Sequence, residues 1–114
     1  MKFLLLVCWD AENMNAMVEP DAPQEDEGMP WLDELRAAGK WVIGDQLAAP
    51  RRAKSVRRRG DKVHITDGPF LETKEAIGGF DLIEAESLDE AVEIAARHPV
   101  AQMGTIEVRP LWGQ

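Results

Sequence analysis

The most informative stretch of this 114-residue chain is DGPFLETKEAIGGF, residues 67–80. Its first three residues, Asp67-Gly68-Pro69, predict a turn. The Asp side chain can form a hydrogen bond with the backbone that follows it, and Gly allows a positive φ. Pro fixes its own φ and keeps the residue before it out of the helical conformation. Phe70 follows as an apolar anchor, and three charged residues lie between positions 72 and 75. Two interpretations are open: a turn with a solvated charge cluster, and a rigid ligand-binding loop.

On either side of this stretch the hydrophobic pattern changes its period several times. Residues 2–9 form a continuous apolar run, which is typical of a strand buried on both faces. Residues 10–27 are acidic and contain prolines, and they predict a loop. The remaining predicted elements are a helix at 30–38, a strand at 40–47, a hairpin at 54–66, a strand at 79–86, a helix from 88 that ends before 99, and a strand at 105–111.

Both predicted helices have recognisable ends. Pro30 suits the first turn of the first helix, and Gly39 suits its end. At the second helix Ser87 and Glu90 have the spacing of a capping box, in which the Ser caps and the Glu reciprocates. His98 is expected to end this helix as a cation, because a positive charge suits that end of the helix dipole.

The predicted order of elements, β-α-β, a hairpin, then β-α-β, indicates the α+β class and a ferredoxin-like βαββαβ fold with an inserted β-hairpin. With 114 residues, 45% of them apolar, one domain at 1–114 is expected. Two helices can cover one face of the sheet, but the first strand is apolar on both faces, so the other face needs a cover. A second copy is the simplest cover, which predicts a homodimer.

The charge of the chain limits its partners. A net charge of −8 argues against a nucleic-acid partner, because such surfaces need net basic character. The basic run at residues 51–59 alternates like a strand and leads into the turn signal Gly60-Asp61. This run is either an edge strand whose charges discourage association or a surface for an anionic ligand.

The N-terminal residues argue for a cytoplasmic protein. The apolar run after Lys2 is too short for a secretory signal, and no segment has the length of a transmembrane helix, so no membrane partner is expected. Cys8 is the only cysteine, which excludes an internal disulfide and fits a reducing compartment.

Residues 67–80 also resemble the signature of the YCII-related, or DGPF, family, in which Asp-Gly-Pro-Phe precedes Glu-Thr-Lys-Glu and Gly-Gly-Phe. Similar segments are ELRAAG at 34–39, SLDEA at 87–91, AARHP at 95–99 and IEVRP at 106–110. The resemblance implies a dimeric α+β barrel, in which two ferredoxin-like sheets pack face to face and leave pockets near the barrel ends. Family members accompany or are fused to extracytoplasmic-function sigma factors. The barrel group also includes cofactor-free lactone isomerases, lactone dehalogenases and small monooxygenases.

Strand parity and the turn together predict a candidate site. If residues 106 and 108 meet the helices, Glu107 and Arg109 face the barrel interior, where charges persist only when they are paired or liganded. His64 lies three residues before Asp67, and a His near a carboxylate is a candidate general base, although a surface hairpin histidine is the alternative. The candidate catalytic residues are His64 and Asp67, and the candidate ligand-binding residues are Asp45, Lys74, Glu107 and Arg109.

Metal and cofactor chemistry are not expected. Two histidines and one cysteine, widely separated, do not form a zinc-ligand pattern, and no glycine-rich phosphate loop leads from a strand into a helix. Three functions are open. The protein binds a small organic molecule, with anionic ones among the candidates, as a regulatory accessory to a sigma factor; or it is a cofactor-independent enzyme with isomerase- or lyase-like proton transfer; or it is a structural dimer without a small ligand.

Overall fold

The computed structural model describes residues 1–20 and 29–113. These residues form six strands, three α-helices and two short 3₁₀ helices. In chain order the elements are β1 (Lys2–Asp10), α1 (Ala11–Ala16), α2 (Pro30–Ala37), β2 (Trp41–Gln46), a 3₁₀ helix (Pro50–Arg52), β3 (Lys54–Arg59), β4 (Lys62–Asp67), β5 (Glu75–Glu84), α3 (Leu88–Ala96), a second 3₁₀ helix (Pro99–Gln102) and β6 (Thr105–Pro110).

Four of the strands form one antiparallel sheet in the order β2-β5-β1-β6. Helix α2 connects β1 to β2, and α3 connects β5 to β6, which is the ferredoxin-like arrangement. Strands β3 and β4 form a separate two-stranded sheet, inserted in the chain between β2 and β5. The predicted α+β fold with an inserted hairpin is therefore confirmed.

The hydrophobic core lies between the sheet and helices α2 and α3. Phe3 and Leu5, two alternate residues of β1, are fully buried there, because side chains of a strand alternate between its faces. Trp31 of α2 and Ile94 of α3 pack in the same cluster. The indole Nε1 of Trp31 donates a hydrogen bond of 2.8 Å to the backbone oxygen of Ile94, so the two helices are joined inside the core.

The opposite face of the sheet, here called the open face, lies away from this core. Its centre is apolar and half-buried, and its residues are the cross-strand neighbours Leu4, Leu6, Phe80 and Leu82. Its edges carry charges, because Asp45 of β2 is opposite Phe80, and Glu107 and Arg109 of β6 are opposite residues 6 and 4 of β1. The open face thus has an apolar centre between two charged edge strands.

The segment predicted as a loop at residues 10–27 begins with helix α1 instead. Asp10 caps this helix by accepting the backbone N–H of Asn13 at 2.8 Å, and Met14 is buried beneath it. An N-cap aspartate and one buried side chain stabilise a helix that the acidic composition does not suggest, so the loop prediction is wrong for residues 11–16. Residues 21–27 of that predicted loop lie outside the described part of the chain.

Strand β5 begins at Glu75, four residues before the predicted start at 79. Its first residues pair with the end of β1, and the register shifts there between Val7 and Cys8. Gly78 lies at this shift, and a Cβ on it would come within 2.6 Å of the sulfur of Met14. The close approach of α1 therefore explains a glycine at this position.

The predicted turn and cap residues have the expected conformations. Pro30 is the first residue of α2, and Gly39 follows that helix with a φ of 69°. Ser87 accepts the backbone N–H of Glu90 at 3.1 Å, which confirms the cap of α3. Gly68 has a φ of 87°, the left-handed conformation that the turn at residues 67–69 predicted.

His98 differs from the expected cation at the end of α3. Its side chain is 6% exposed, its Nδ1 accepts the backbone N–H of Val100 at 3.0 Å, and its ring meets Trp31 edge to face. Burial lowers the pKa of His98 below its ordinary value of 6.5. The neutral imidazole is therefore favoured, and the predicted role for a charged His98 is wrong.

Replacing Ile94 by Ala should lower the free energy of unfolding by about 2–5 kcal/mol, because the substitution leaves a cavity among fully buried neighbours. Ile94 is 2% exposed, whereas Val92 on the same helix is 50% exposed. Urea unfolding at one fixed protein concentration measures the change. Val92→Ala is the matched control and should change stability by less than about 0.5 kcal/mol. Equal losses in the two variants would contradict the assigned core.

Replacing His98 by Asn should reduce the loss of stability between about pH 7 and about pH 5. The unfolded chain takes up a proton on His98 near 6.5, but the buried imidazole resists protonation, so stability present above that pH is lost as the pH falls. Asn keeps a side-chain acceptor for Val100 and does not titrate. Urea unfolding at the two pH values gives the difference for each variant. His64→Asn, at the exposed histidine, should behave like the wild type.

Candidate functional site

A pocket of about 470 Å³ opens at the end of the open face, where β1 ends and β5 begins. Its apolar lining residues are Leu47, Ala48, Ala49, Pro50, Ala53, Pro69, Leu71, Ala76 and Ile77. Its polar lining residues are Cys8, Arg52, Thr73 and Glu75. A volume between about 300 and 1,000 Å³, with mostly apolar walls and a few polar groups, is typical of sites for small molecules.

Three segments of the chain form this pocket. Cys8 of β1 and Ile77 of β5 are cross-strand partners on the open face. The segment at 47–53 follows β2, and Arg51 holds it to α1. The backbone N–H of Arg51 donates to the Oδ1 of Asn15 at 2.9 Å, and its Nε–H donates to the backbone oxygen of Asn15 at 3.0 Å. The third segment, residues 67–75, is the turn with the loop that follows it. It is joined to the second segment by a hydrogen bond of 2.8 Å, which the backbone N–H of Gly68 donates to the backbone oxygen of Ala53.

Alternate residues of the loop before β5 line the pocket, namely Pro69, Leu71 and Thr73, and the first three residues of β5 line it consecutively. Phe70, between two of the loop residues, is 68% exposed and lies instead beside the guanidinium of Arg57, at 5.4 Å from the ring centre. Residues 67–80 contribute a wall of the pocket through their uncharged positions and Glu75.

Cys8 is the thiol of the pocket, and its surroundings disfavour the thiolate. Burial raises the pKa of Cys8 above its ordinary value of 9.0, and the negative charges of Glu107 and Glu75 raise it further. The thiol donates a weak hydrogen bond of 3.7 Å to the oxygen of Leu6. Cys8 is therefore protonated at neutral pH and is a poor nucleophile.

The other polar groups of the pocket are held in place by neighbours. The Oε1 of Glu75 accepts the hydroxyl of Thr105 at 3.0 Å, and the hydroxyl of Thr73 donates to the backbone oxygen of Glu75. Arg52 forms an ion pair with Glu19. Among the lining residues that the structure describes, Arg52 supplies the positive charge. These contacts give the apolar pocket a fixed polar rim.

Two of the predicted ligand-binding residues meet each other at one edge of the sheet. The Nε of Arg109 lies 3.2 Å from the Oε2 of Glu107, and both side chains are more than half exposed. Asp45 shares the open face with them but lies on the opposite edge strand, three strand spacings or about 14 Å away. All three lie outside the pocket lining.

Of the remaining predicted residues, His64 and Asp67 lie in the hairpin, and Lys74 lies directly before β5. Asp67 binds Lys54 across the hairpin, and this hydrogen bond lowers the pKa of Asp67 below its ordinary value of 3.8. His64 is exposed opposite Arg57. Lys74 accepts the N–H of Ala11 at 2.8 Å through its backbone oxygen. In the described ranges no hydrogen bond or ion pair connects these three residues with Arg109.

Sequence reasoning considered the charges of residues 72–75, among which Glu75 lines the pocket, but it missed the polar lining residues Cys8, Arg52 and Thr73. The spacing of apolar and small residues at 69, 71 and 73 is the signal that could have found this wall. Cys8 could have been placed by the parity of β1, since it shares a face with Leu4 and Leu6. The contribution of 47–53 has no comparable local signal.

The described residues provide neither a metal-ligand cluster nor a membrane-spanning helix. Within residues 1–20 and 29–113, no group of three or more His, Cys, Asp or Glu side chains is placed to hold a metal ion. No helix in those same ranges is long and apolar enough to cross a membrane.

Comparison with known proteins agrees with the family resemblance that residues 67–80 indicated. A family model described as the YCII-related domain matches residues 1–113. An uncharacterized protein of Rhizobium meliloti (strain 1021) is 41% identical over 76 residues, which cover 65% of this chain and 61% of that relative. The matched segment thus spans less than two thirds of the relative. Because the family model covers nearly every residue, the chain belongs to the YCII-related family.

Proposed function

We propose that the protein binds a small, mainly apolar organic molecule with one polar or anionic group in the pocket at the end of the open face. The observation that carries this proposal is a volume of about 470 Å³ whose walls are apolar except for four polar side chains. Burial of apolar ligand surface supplies affinity. Arg52 is suited to a carboxylate or a similar group, because a guanidinium binds planar anions through paired hydrogen bonds.

We also propose that the protein is a cytoplasmic homodimer in which a second copy covers the open face. The apolar centre formed by residues 4, 6, 80 and 82, between edges that carry Asp45, Glu107 and Arg109, matches the apolar core and polar rim of protein interfaces. A stable homodimer buries on the order of 2,000 Å² or more, which calls for most of such a face. Membership of the family supports the same face-to-face pairing.

Binding rather than catalysis is the function proposed. His64 and Asp67 lie outside the lining of the pocket, and a carboxylate with a lowered pKa is a weak base at neutral pH. Cys8 lines the pocket but is protonated. A regulatory accessory to a sigma factor, the role implied by the family resemblance, requires ligand binding without a reaction. The proposal therefore places such a role ahead of proton-transfer chemistry.

Replacing Ala49 by Phe should weaken ligand binding by about tenfold or more, which corresponds to about 1.4 kcal/mol. Ala49 lines the pocket and is half-buried, so the larger ring occupies ligand space. Ligand-observed NMR with a panel of small aromatic and aliphatic carboxylates, together with their neutral amides, measures binding. A panel without any binder would contradict the proposed function, and equal binding by wild type and Ala49→Phe would place the site elsewhere.

Two further variants distinguish the effect of pocket volume on ligand binding from the effect of the positive charge in the pocket. Ala96→Phe adds the same volume at an exposed position of α3, and it should leave binding unchanged. Arg52→Ala should weaken binding of the carboxylates more than binding of the amides, because it removes the cation of the pocket. A uniform loss across both classes would argue that Arg52 shapes the pocket without recognising an anion.

Replacing Leu6 by Lys should dissociate the proposed dimer, because the change places a charge at the centre of the apolar open face. Sedimentation velocity at micromolar concentration should give a dimer for the wild type and a folded monomer for Leu6→Lys. Val92→Lys is the control, since Val92 is exposed on α3 and away from that face. It should remain dimeric. A wild-type chain that sediments as a monomer would contradict the proposed dimer.

A further inference from the structure

The hairpin of β3 and β4, residues 54–67, is here called the arm. Its strands pair with each other, and within the described residues they pair with no strand of the four-stranded sheet. The arm is fixed at its base, where the hydroxyl of Ser55 donates to the oxygen of Gly68 at 2.9 Å. An isolated two-stranded hairpin is marginally stable in water at best. The arm would therefore be stabilised by contact with another surface.

One face of the arm carries an exposed apolar patch. Val56 lies directly opposite Ile65, and Val63 lies on the same face two residues further along, opposite Arg58. These three side chains are 64%, 63% and 54% exposed. Because they are contiguous, they form an apolar patch that a contact would remove from water.

The other face of the arm is cationic. Arg57 and Arg59 lie on this face, and Arg59 is directly opposite Lys62. Like charges directly opposite each other destabilise a hairpin, as Arg59 and Lys62 do here. Among the described contacts Arg57 lies beside the ring of Phe70, and Arg59 donates to the backbone oxygen of its neighbour. No carboxylate of the described residues binds either guanidinium, so an acidic surface outside the arm would relieve this repulsion.

The distribution of charge indicates which partner offers such a surface. The arm holds five of the 13 Lys and Arg residues and two of the 21 Asp and Glu residues, which gives it a charge of +3. The rest of the chain holds eight basic and 19 acidic residues and has a charge of −11. Two arms therefore repel each other, whereas an arm and the rest of a second copy attract each other.

From these observations we infer that the arm of one copy lies on the acidic body of a second copy, where the body is the four-stranded sheet with its helices. The inference rests on the proposed homodimer and adds a second contact to it. The cations of the arm meet carboxylates of the second copy, and its three apolar side chains are buried within the assembled pair. Each copy then contacts the other through its arm.

A mixed dimer tests this contact. One copy carries Cys8→Ser and Asp61→Cys, with a nitroxide spin label at the tip of the arm. The other copy carries Cys8→Ser alone and is labelled with ¹⁵N, so that any paramagnetic broadening in its spectrum comes from the arm of its partner. We expect broadening of body amides in the ¹⁵N-labelled copy. Broadening confined to its arm, or none, would overturn the inference.

Sedimentation of the same mixture distinguishes failure of the arm from failure of the dimer. A dimer without body broadening contradicts the arm contact and leaves the open-face dimer in place. A monomer contradicts both, while the NMR titrations with small carboxylates still report on the pocket by themselves. The two proposals therefore fail by different observations.

Substitution of the arm cations gives a second test in the unlabelled chain. Arg57→Ala/Arg59→Ala/Lys62→Ala should weaken the dimer about tenfold and reduce its sensitivity to salt, because screened charge pairs are lost. Lys74→Ala/Arg97→Ala, at exposed cations outside the arm, is the control and should leave the dissociation constant unchanged. If the arm substitutions leave the dimer unchanged but abolish binding of a poly-glutamate peptide, the occupant is another acidic protein and the inference is wrong.

Discussion

Strand β1 is apolar on both faces, and the rest of the structure depends on the burial of those two faces. Phe3 and Leu5 are covered by α2 and α3, which satisfies one side within the chain. Leu4 and Leu6 face the other side, where β1 sits between β5 and β6. A central strand of this kind constrains its neighbours: β5 presents Phe80 and Leu82 beside these leucines, whereas the edge strand β6 presents Glu107 and Arg109 there. The proposed pairing of two copies follows from that constraint.

The pocket is a consequence of where this central strand ends. The register between β1 and β5 shifts between Val7 and Cys8, three residues before β1 ends at Asp10. The turn at residues 67–69 and the segment at 47–53 close around that end, and a single backbone hydrogen bond between Gly68 and Ala53 joins them. A glycine with a positive φ makes that approach available at low conformational cost. Pocket shape is thus controlled by backbone geometry more than by charged side chains.

The sequence predicted those parts of the fold that depend on local chemistry. The cap at Ser87, the helix end at Gly39 and the alternation of β1 involve residues that are close in the chain, so their signals are readable without a tertiary structure. Helix α1 was missed because its stability depends on burial of Met14 against a distant strand. For the same reason, none of the six predicted site residues lines the pocket, although the loop at residues 67–80 contributes one of its walls. The separation of Asp45 from Arg109 depends on the strand order, and the pocket depends on segments far apart in the chain.

The protonated state of Cys8 has a consequence for the kinds of molecule that the pocket can hold. Thiolates, not thiols, attack electrophilic carbon and react readily with oxidants. With its pKa raised by burial and by two nearby carboxylates, Cys8 presents a soft, polarizable thiol that is a weak nucleophile at neutral pH. For the proposed ligand binding, such a thiol slows the modification of electrophilic compounds, such as conjugated carbonyls, that would enter the pocket. The proposed binding would thereby stay reversible for ligands that would alkylate an activated cysteine.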